Sequence, residues 1–211
     1  MMKNVLILGA SGQIAQMVTD ELKDKVNLTL FVRSPQKLIG SKEPATIVQG
    51  DALNVDELTA AMKGQDLVYS NLGPDRMAEM AKVVTQAMNN AGVKRLIWVA
   101  TAGIYGEEST DEGLARATQI FGAYDDPSSY FGDERVGADY IDQAADINAT
   151  IIRPNALTNA DVLENVVVDG RNDRIRPSAQ PISRKTVAHF ISQLILDDTQ
   201  YQNDSIAISQ G

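Results

Sequence analysis

The chain predicts an α/β fold: a doubly wound parallel sheet flanked by helices on both faces. Three observations predict it. Short apolar runs recur along the chain, segments with helical spacing lie between them, and the connections are mostly short. The runs fall at residues 5–8, 28–32, 46–48, 67–72, 96–100, 150–152 and 205–208. Several are near-continuous rather than alternating, the pattern of strands buried on both faces of a parallel sheet. Strand–helix alternation gives βαβ units, and right-handed crossovers then wind the sheet both ways.

Each helix rests on an apolar stripe. Ile14, Met17, Val18 and Leu22 stand at i, i+3, i+4 and i+8. Met77, Met80, Val83, Val84 and Met88 form a second stripe. Val136, Tyr140, Ile141 and Ala144 form a weaker third, and Val187, Phe190, Ile191, Leu194 and Ile195 a strong fourth. The spacing puts each stripe on the inner face of a helix covering the sheet. Two stretches break the pattern. Residues 103–129 are polar, rich in Gly, Asp and Glu and weakly periodic, and read as a functional loop or lid. Residues 155–182 are also irregular, and Asp169-Gly170 within them has the composition of a hairpin turn. Both stretches follow strands at their C-terminal ends, the edge where such sheets bind ligands. No Pro/Gly/Ser-rich linker or charge block divides residues 1–211, so the chain reads as a single domain.

Charge and composition narrow the function. A net charge of -9 argues against nucleic acid or an anionic membrane surface, which select clustered Lys and Arg. It leaves room for a small anionic ligand, which needs only a local positive site. The chain has no cysteine, so disulfides, thiolate catalysis and Cys-based zinc sites are excluded. The apolar run at 5–8 is too short for a signal segment, and no stretch approaches the roughly 20 apolar residues of a membrane span. The chain therefore reads as a soluble cytoplasmic protein, monomeric or homodimeric. No His pair or His/carboxylate spacing suggests a metal site. The single His189 lies in the last apolar stripe and reads as a packing or partner-bonded residue.

The chemistry begins at the first strand, which runs into Gly9-Ala10-Ser11-Gly12-Gln13-Ile14-Ala15 and then a helix. In this G-x-x-G-x-x-A pattern the first glycine permits the tight turn and the second lets backbone approach a pyrophosphate. The alanine lets the helix lie close on the sheet. The helix N-terminus then offers free N–H groups and its positive end to phosphates. Gly9, Ser11, Gly12, Gln13 and Ile14 are therefore assigned to a dinucleotide in a Rossmann-type domain. The second strand ends at Arg33-Ser34, with Lys37 beyond. An NAD site wants a carboxylate here to accept from the ribose 2′-OH, whereas a guanidinium suits a 2′-phosphate. NADP(H) is thus expected ahead of NAD(H), with Ser34 adding a hydroxyl donor.

Further segments extend the pattern. They are Gln49-Gly50-Asp51-Ala52, Ser70-Asn71-Leu72-Gly73, Val99-Ala100-Thr101-Ala102-Gly103-Ile104-Tyr105-Gly106, Ile151-Ile152-Arg153-Pro154-Asn155 and the helix start Ile182-Ser183-Arg184-Lys185-Thr186-Val187-Ala188. With the glycine motif they cover most of the chain in order. The chain as a whole resembles the atypical short-chain dehydrogenase/reductase group, in its NmrA-like and flavin/biliverdin-reductase-like single-domain branch. The resemblance implies that Asp51, with Ala52 and Leu53, meets the adenine edge. It implies that Asn71, Leu72 and Gly73 line the ribose and phosphate path, that Thr101 holds the place of the catalytic Ser/Thr, and that Pro154 and Asn155 lie near the nicotinamide.

One departure stands out. The best-known members of the group carry Tyr-x-x-x-Lys, whose lysine lowers the tyrosine pKa so that it serves as general acid. Here the match is Tyr130-Phe131-Gly132-Asp133-Glu134, with Glu134 in the place of the lysine. A carboxylate there raises a tyrosine pKa. Arg135 is one residue off and points about 100° around the helix. Tyr130 and Thr101 are the candidate catalytic residues, with a proton from water or substrate as the other route. Three functions follow: an NADPH-dependent reductase of a small carbonyl, quinone or flavin-like substrate; a cofactor-binding sensor without turnover; or a nucleotide-sugar epimerase or dehydratase relative.

Overall fold

The computed structural model describes residues 2–211. Along the chain run β1 (Asn4–Leu8), α1 (Gln13–Leu22), β2 (Asn27–Val32), β3 (Thr46–Gln49), α2 (Val55–Met62), β4 (Leu67–Ser70), α3 (Met77–Ala91) and β5 (Arg95–Val99). Then follow α4 (Asp111–Phe121), α5 (Tyr130–Asp142), β6 (Asn148–Pro154), β7 (Leu157–Thr158), β8 (Val166–Asp169), β9 (Ile182–Ser183), α6 (Arg184–Leu196) and β10 (Asp204–Gln210). Eight strands form one sheet in the order β3-β2-β1-β4-β5-β6-β10-β8. All neighbours are parallel except β8, which runs antiparallel to β10 at the edge. The strand order reverses between β1 and β4, and ligand crevices form at such a switch point.

The doubly wound α/β sheet expected from the sequence is present. In β1, Val5 and Ile7 belong to the core under α1 and α6, while Leu6 and Leu8 belong to the core under α3 and α5. Side chains alternate faces along a strand, so a strand covered on both faces reads as an unbroken apolar run. Each such fully buried side chain contributes about 1.5–3 kcal/mol. All seven expected strands appear, several a residue or more longer than their apolar run. Val187, Ile191, Leu194 and Ile195 pack α6 inward, and Met77, Met80, Val84 and Met88 do the same for α3. His189 pairs through Nδ1 with Glu21 Oε1 at 2.7 Å.

The structure corrects several expectations. Residues 103–129 are not a continuous loop but contain α4, an eleven-residue helix capped by the Thr110 hydroxyl, which accepts from Gly113 N. None of its residues is buried, which explains its weak pattern. The short α2 was also unforeseen; Asn54 caps it by accepting from Asp56 N and Glu57 N. Asp169-Gly170 does turn the chain, but β8 pairs with β10 and not with the segment that follows, so no hairpin forms. Met17 is 41% exposed and Tyr140 45% exposed, so neither faces the sheet. On α5 the buried side chains are Phe131, Glu134, Ala138 and Ile141.

One charged side chain is entirely inside. Arg153 of β6 is 0% exposed and donates to the Glu107 carboxylate, to Ser205 Oγ and to the carbonyls of Gly170 and Ser205. The Tyr105 ring lies 5.0 Å from its guanidinium carbon. The turn after β8, the segment after β5 and the start of β10 are thus tied to one residue. Among the described residues, no helix is long and apolar enough to cross a membrane.

Candidate functional site

The turn after β1 is shaped by Asn71. Its backbone N–H donates to Leu8 O at 3.0 Å, and its Oδ1 accepts from the Tyr69 hydroxyl at 3.0 Å. Both glycines of the turn lie against it. Gly9 has φ +68°, and a Cβ there would stand 2.5 Å from the Asn71 carbonyl oxygen. A Cβ on Gly12 would stand 2.4 Å from Asn71 Nδ2. Gly12 therefore has an internal reason for lacking a side chain besides the pyrophosphate reason. Gly12 is also the N-cap of α1, and no side chain caps that end. Amides of the first helical turn, at Gln13 and Ile14, have no acceptor within the helix and are open to an anion. Ala15 is fully buried against the sheet.

Gln16 is a residue that motif reading misses. Its Nε2 donates to Ser11 O at 2.9 Å and its Oε1 accepts from Ile39 N at 2.6 Å. It thereby ties the glycine turn to the segment after β2. At the end of β2, Arg33 is exposed and makes no ion pair among the described residues; its carbonyl accepts from Gln49 Nε2 at 3.2 Å. Ser34 begins the single 3₁₀ turn Pro35–Lys37, with Lys37 exposed. Asp51 is exposed and its Oδ1 accepts from Leu53 N at 3.0 Å, so it shapes its own turn. Ala52 and Leu53 are half-buried on the core. Leu72 is half-buried and Gly73 exposed beyond β4.

Thr101 follows β5 and is half-buried. The hydroxyl of Tyr130, the first residue of α5, faces the Thr101 side chain and the Glu134 carboxyl. Ser129 caps α5 by accepting from Gly132 N at 2.9 Å. Asp133 in the same turn accepts from Met77 N and Ala78 N at 2.7 and 3.1 Å. It caps α3 in place of a local residue and fixes α5 against it; sequence reasoning gave no sign of this. Phe121 of α4 packs over Tyr130 and Phe131, with ring centroids 5.7 and 5.0 Å away. Pro154 ends β6 and its carbonyl accepts from Ala102 N, while Asn155 turns away, with Nδ2 toward Gln180 O at 3.5 Å.

Electrostatics distinguish this corner. Glu134 is 4% exposed and its Oε2 has no hydrogen-bond partner. Burial pushes its carboxyl up to about 8, with the neighbouring Asp133 adding to the rise and the Tyr130 hydroxyl opposing it. Burial also raises the Tyr130 phenol well above its ordinary value. Glu134 raises it further, and the Thr101 hydroxyl opposes. Arg135 is turned away, as its offset implies: its guanidinium carbon lies 5.3 Å from the Tyr124 ring centroid, and its Nε is 3.6 Å from Asp139.

The glycine turn, Asn71, Thr101 and Pro154 thus stand at the C-terminal ends of β1, β4, β5 and β6, four parallel neighbours in the sheet. Arg33 and Asp51 stand at the same edge, beyond β2 and β3. Known proteins share this frame. A Rossmann-fold NAD(P)-binding family protein from Shigella flexneri is 34% identical, with a TM-score of 0.83 over 100% of this chain and 94% of that one. A short-chain dehydrogenase/reductase from Veillonella parvula in complex with NADP shares the fold at 24% identity and TM-score 0.81, over 100% and 95% of the two chains. Protein YmjC of Escherichia coli strain K12 is 59% identical over 39 residues, which are 18% of this chain and 65% of that protein, so under two thirds of its length is spanned. The family described as NAD(P)H-binding matches residues 9–198. That match spans most of the chain, and the chain belongs to the NAD(P)H-binding Rossmann-fold family.

Proposed function

We propose that the protein is an NADPH-dependent oxidoreductase that reduces a small carbonyl, quinone or flavin-like substrate. The observation that carries this reading is the glycine turn and uncapped start of α1 at the switch point of the sheet, with the half-buried side chains of Thr101 and Tyr130 near each other at the end of β5, two strands away. The residues present fit the cofactor. Gly9, Ser11, Gly12, Gln13 and Ile14 would hold the pyrophosphate on the free amides of α1, and a side chain at either glycine would collide with Asn71, which shapes that turn. Arg33 and Ser34 would take the 2′-phosphate, Asp51, Ala52 and Leu53 the adenine edge, and Asn71, Leu72 and Gly73 the ribose path. Pro154 and Asn155 would border the nicotinamide. The bound cofactor supplies hydride; the protein supplies binding and orientation. Thr101 and Tyr130 hold the substrate oxygen and its proton. The segments 103–129 and 155–182 form the substrate side of one domain, and the acidic, cysteine-free chain fits a cytoplasmic enzyme.

Titration with NADPH and with NADH, followed by nucleotide fluorescence and thermal stability, tests the cofactor reading. Ligand at about 100 times its dissociation constant adds roughly 2.7 kcal/mol of stability. Arg33→Ala weakens NADPH by about 10- to 100-fold, the worth of a charge-assisted hydrogen bond of roughly 1.5–3 kcal/mol, and leaves NADH unchanged. Equal affinities in the parent protein would sink the 2′-phosphate assignment. The second reading is a dinucleotide sensor without turnover, favoured by the carboxylate at Glu134. It expects NADPH to alter affinity for a protein partner, with no oxidation of NADPH by any acceptor class.

A further inference from the structure

We propose that the buried Glu134 carboxyl is the proton reservoir of this site, passing its proton to the Tyr130 oxygen as Tyr130 passes its own to the substrate oxygen. The inference rests on the oxidoreductase reading given above. Three geometric facts support it. Glu134 stands one helical turn beyond Tyr130 and the Tyr130 hydroxyl faces it. Glu134 is almost wholly out of water. Its Oε2 is unpartnered, and a buried carboxylate oxygen left bare is expensive, whereas a protonated carboxyl is not.

The local charges favour the neutral acid. The charged groups facing the pair are Asp133 on α5 itself and Asp75 from the segment ahead of α3; Thr101 comes from the end of β5. Among the described residues, no lysine, arginine or histidine forms an ion pair with Glu134 or stacks on the Tyr130 ring. Like-charged neighbours and burial both favour the neutral acid. A tyrosinate beside a carboxylate in this setting is disfavoured, so Tyr130 acts as an acid only if its oxygen regains a proton as it loses one.

The balance is simple. When bound, reduced nicotinamide would supply the hydride that makes the new C–H bond at the carbonyl carbon, and the C=O π pair would go to the substrate oxygen. That oxygen takes the Tyr130 proton, and the Tyr130 oxygen takes the Glu134 proton. The carboxylate left behind is reprotonated by water through Tyr130, the half-buried member of the pair. Glu134 touches no substrate and is a positioning residue acting through Tyr130. This chain would thus carry an acid where a Tyr-x-x-x-Lys site carries a cation, with the opposite pH response.

Infrared spectra and pH profiles test the relay. The protein without ligand should show a carboxylic acid C=O band at neutral pH that bleaches as pH rises through about 8. Glu134→Gln should lack it. In Tyr130→Phe the band should move, because its hydroxyl neighbour is gone. Stability follows the same group. The folded carboxyl holds its proton more tightly than in the unfolded chain, where its value is about 4.3. Its contribution is therefore full below about pH 4 and is lost as pH rises to about 8. Glu134→Gln removes that slope. With NADPH and phenanthrenequinone, single-turnover NADPH oxidation should fall above about pH 8 in the parent protein. In Glu134→Gln it should be slower by about tenfold or more and independent of that ionisation. No acid band in the parent protein, an unmoved band in Tyr130→Phe, or an unchanged pH profile in Glu134→Gln would overturn the relay. Loss of NADPH fluorescence titration in the parent protein itself would overturn the cofactor reading instead, while the infrared result still decides the state of Glu134.

Discussion

Glu107→Ala is expected to cost the protein about 3–5 kcal/mol, the largest loss at any single charged residue in the chain. Arg153 is wholly buried and Glu107 is 5% exposed. Removing the carboxylate leaves a guanidinium out of water with only neutral partners, Ser205 and the Gly170 and Ser205 carbonyls. The penalty is that of an uncompensated buried charge and not the net worth of the pair. The double replacement Arg153→Met with Glu107→Leu is therefore expected to cost far less than Glu107→Ala alone. Urea unfolding of the parent, the single variant and the double variant measures both. In a chain of this size a loss of 3–5 kcal/mol lowers the melting temperature by roughly 6–20 °C. A loss under about 1 kcal/mol in Glu107→Ala would mean that water reaches the pair.

Gly9→Ala is expected to abolish NADPH binding and to remove about 2–3 kcal/mol of stability. Two effects add. The backbone φ of +68° is strained for any L side chain, and the new methyl meets the backbone carbonyl of Asn71 at 2.5 Å, a residue whose own N–H is held by Leu8 O. The turn must open, and with it the α1 amides leave the place where phosphate is to sit. Thermal shift with and without NADPH separates the effects: the base melting temperature falls, and the ligand-induced rise disappears. A retained ligand shift would place the dinucleotide away from this turn.

How much of this was legible depends on where each signal comes from. β1, β2, β4 and β5 are covered on both faces, so burial wrote itself into the sequence as unbroken apolar runs. α1, α3 and α6 each press a stripe on the sheet and were legible for the same reason. α4 buries none of its residues, so nothing imposed a helical period on it. β8 is an edge strand with Val166, Val167 and Val168 only half-buried. The inner face of α5 was misjudged because a carboxylate, Glu134, occupies it, and composition sends carboxylates to solvent. The glycine turn was legible from its motif. The hold of Asn71 on that turn, the Asp133 cap on α3 and the contact of Tyr130 with Thr101 join residues far apart in the chain, and only the fold reveals them.

The bare surface of α4 has an evolutionary consequence. A helix with no fully buried residue contributes less to folding than one pressed on the sheet, and substitutions at its exposed positions usually change stability by under about 0.5 kcal/mol. Yet its last residue, Phe121, packs on Tyr130 at the proposed reacting end of the site. Selection can therefore rewrite α4 almost freely while the sheet and the dinucleotide cradle stay as they are. A scaffold divided in this way separates the segment that borders the proposed reacting end from the frame that binds the dinucleotide.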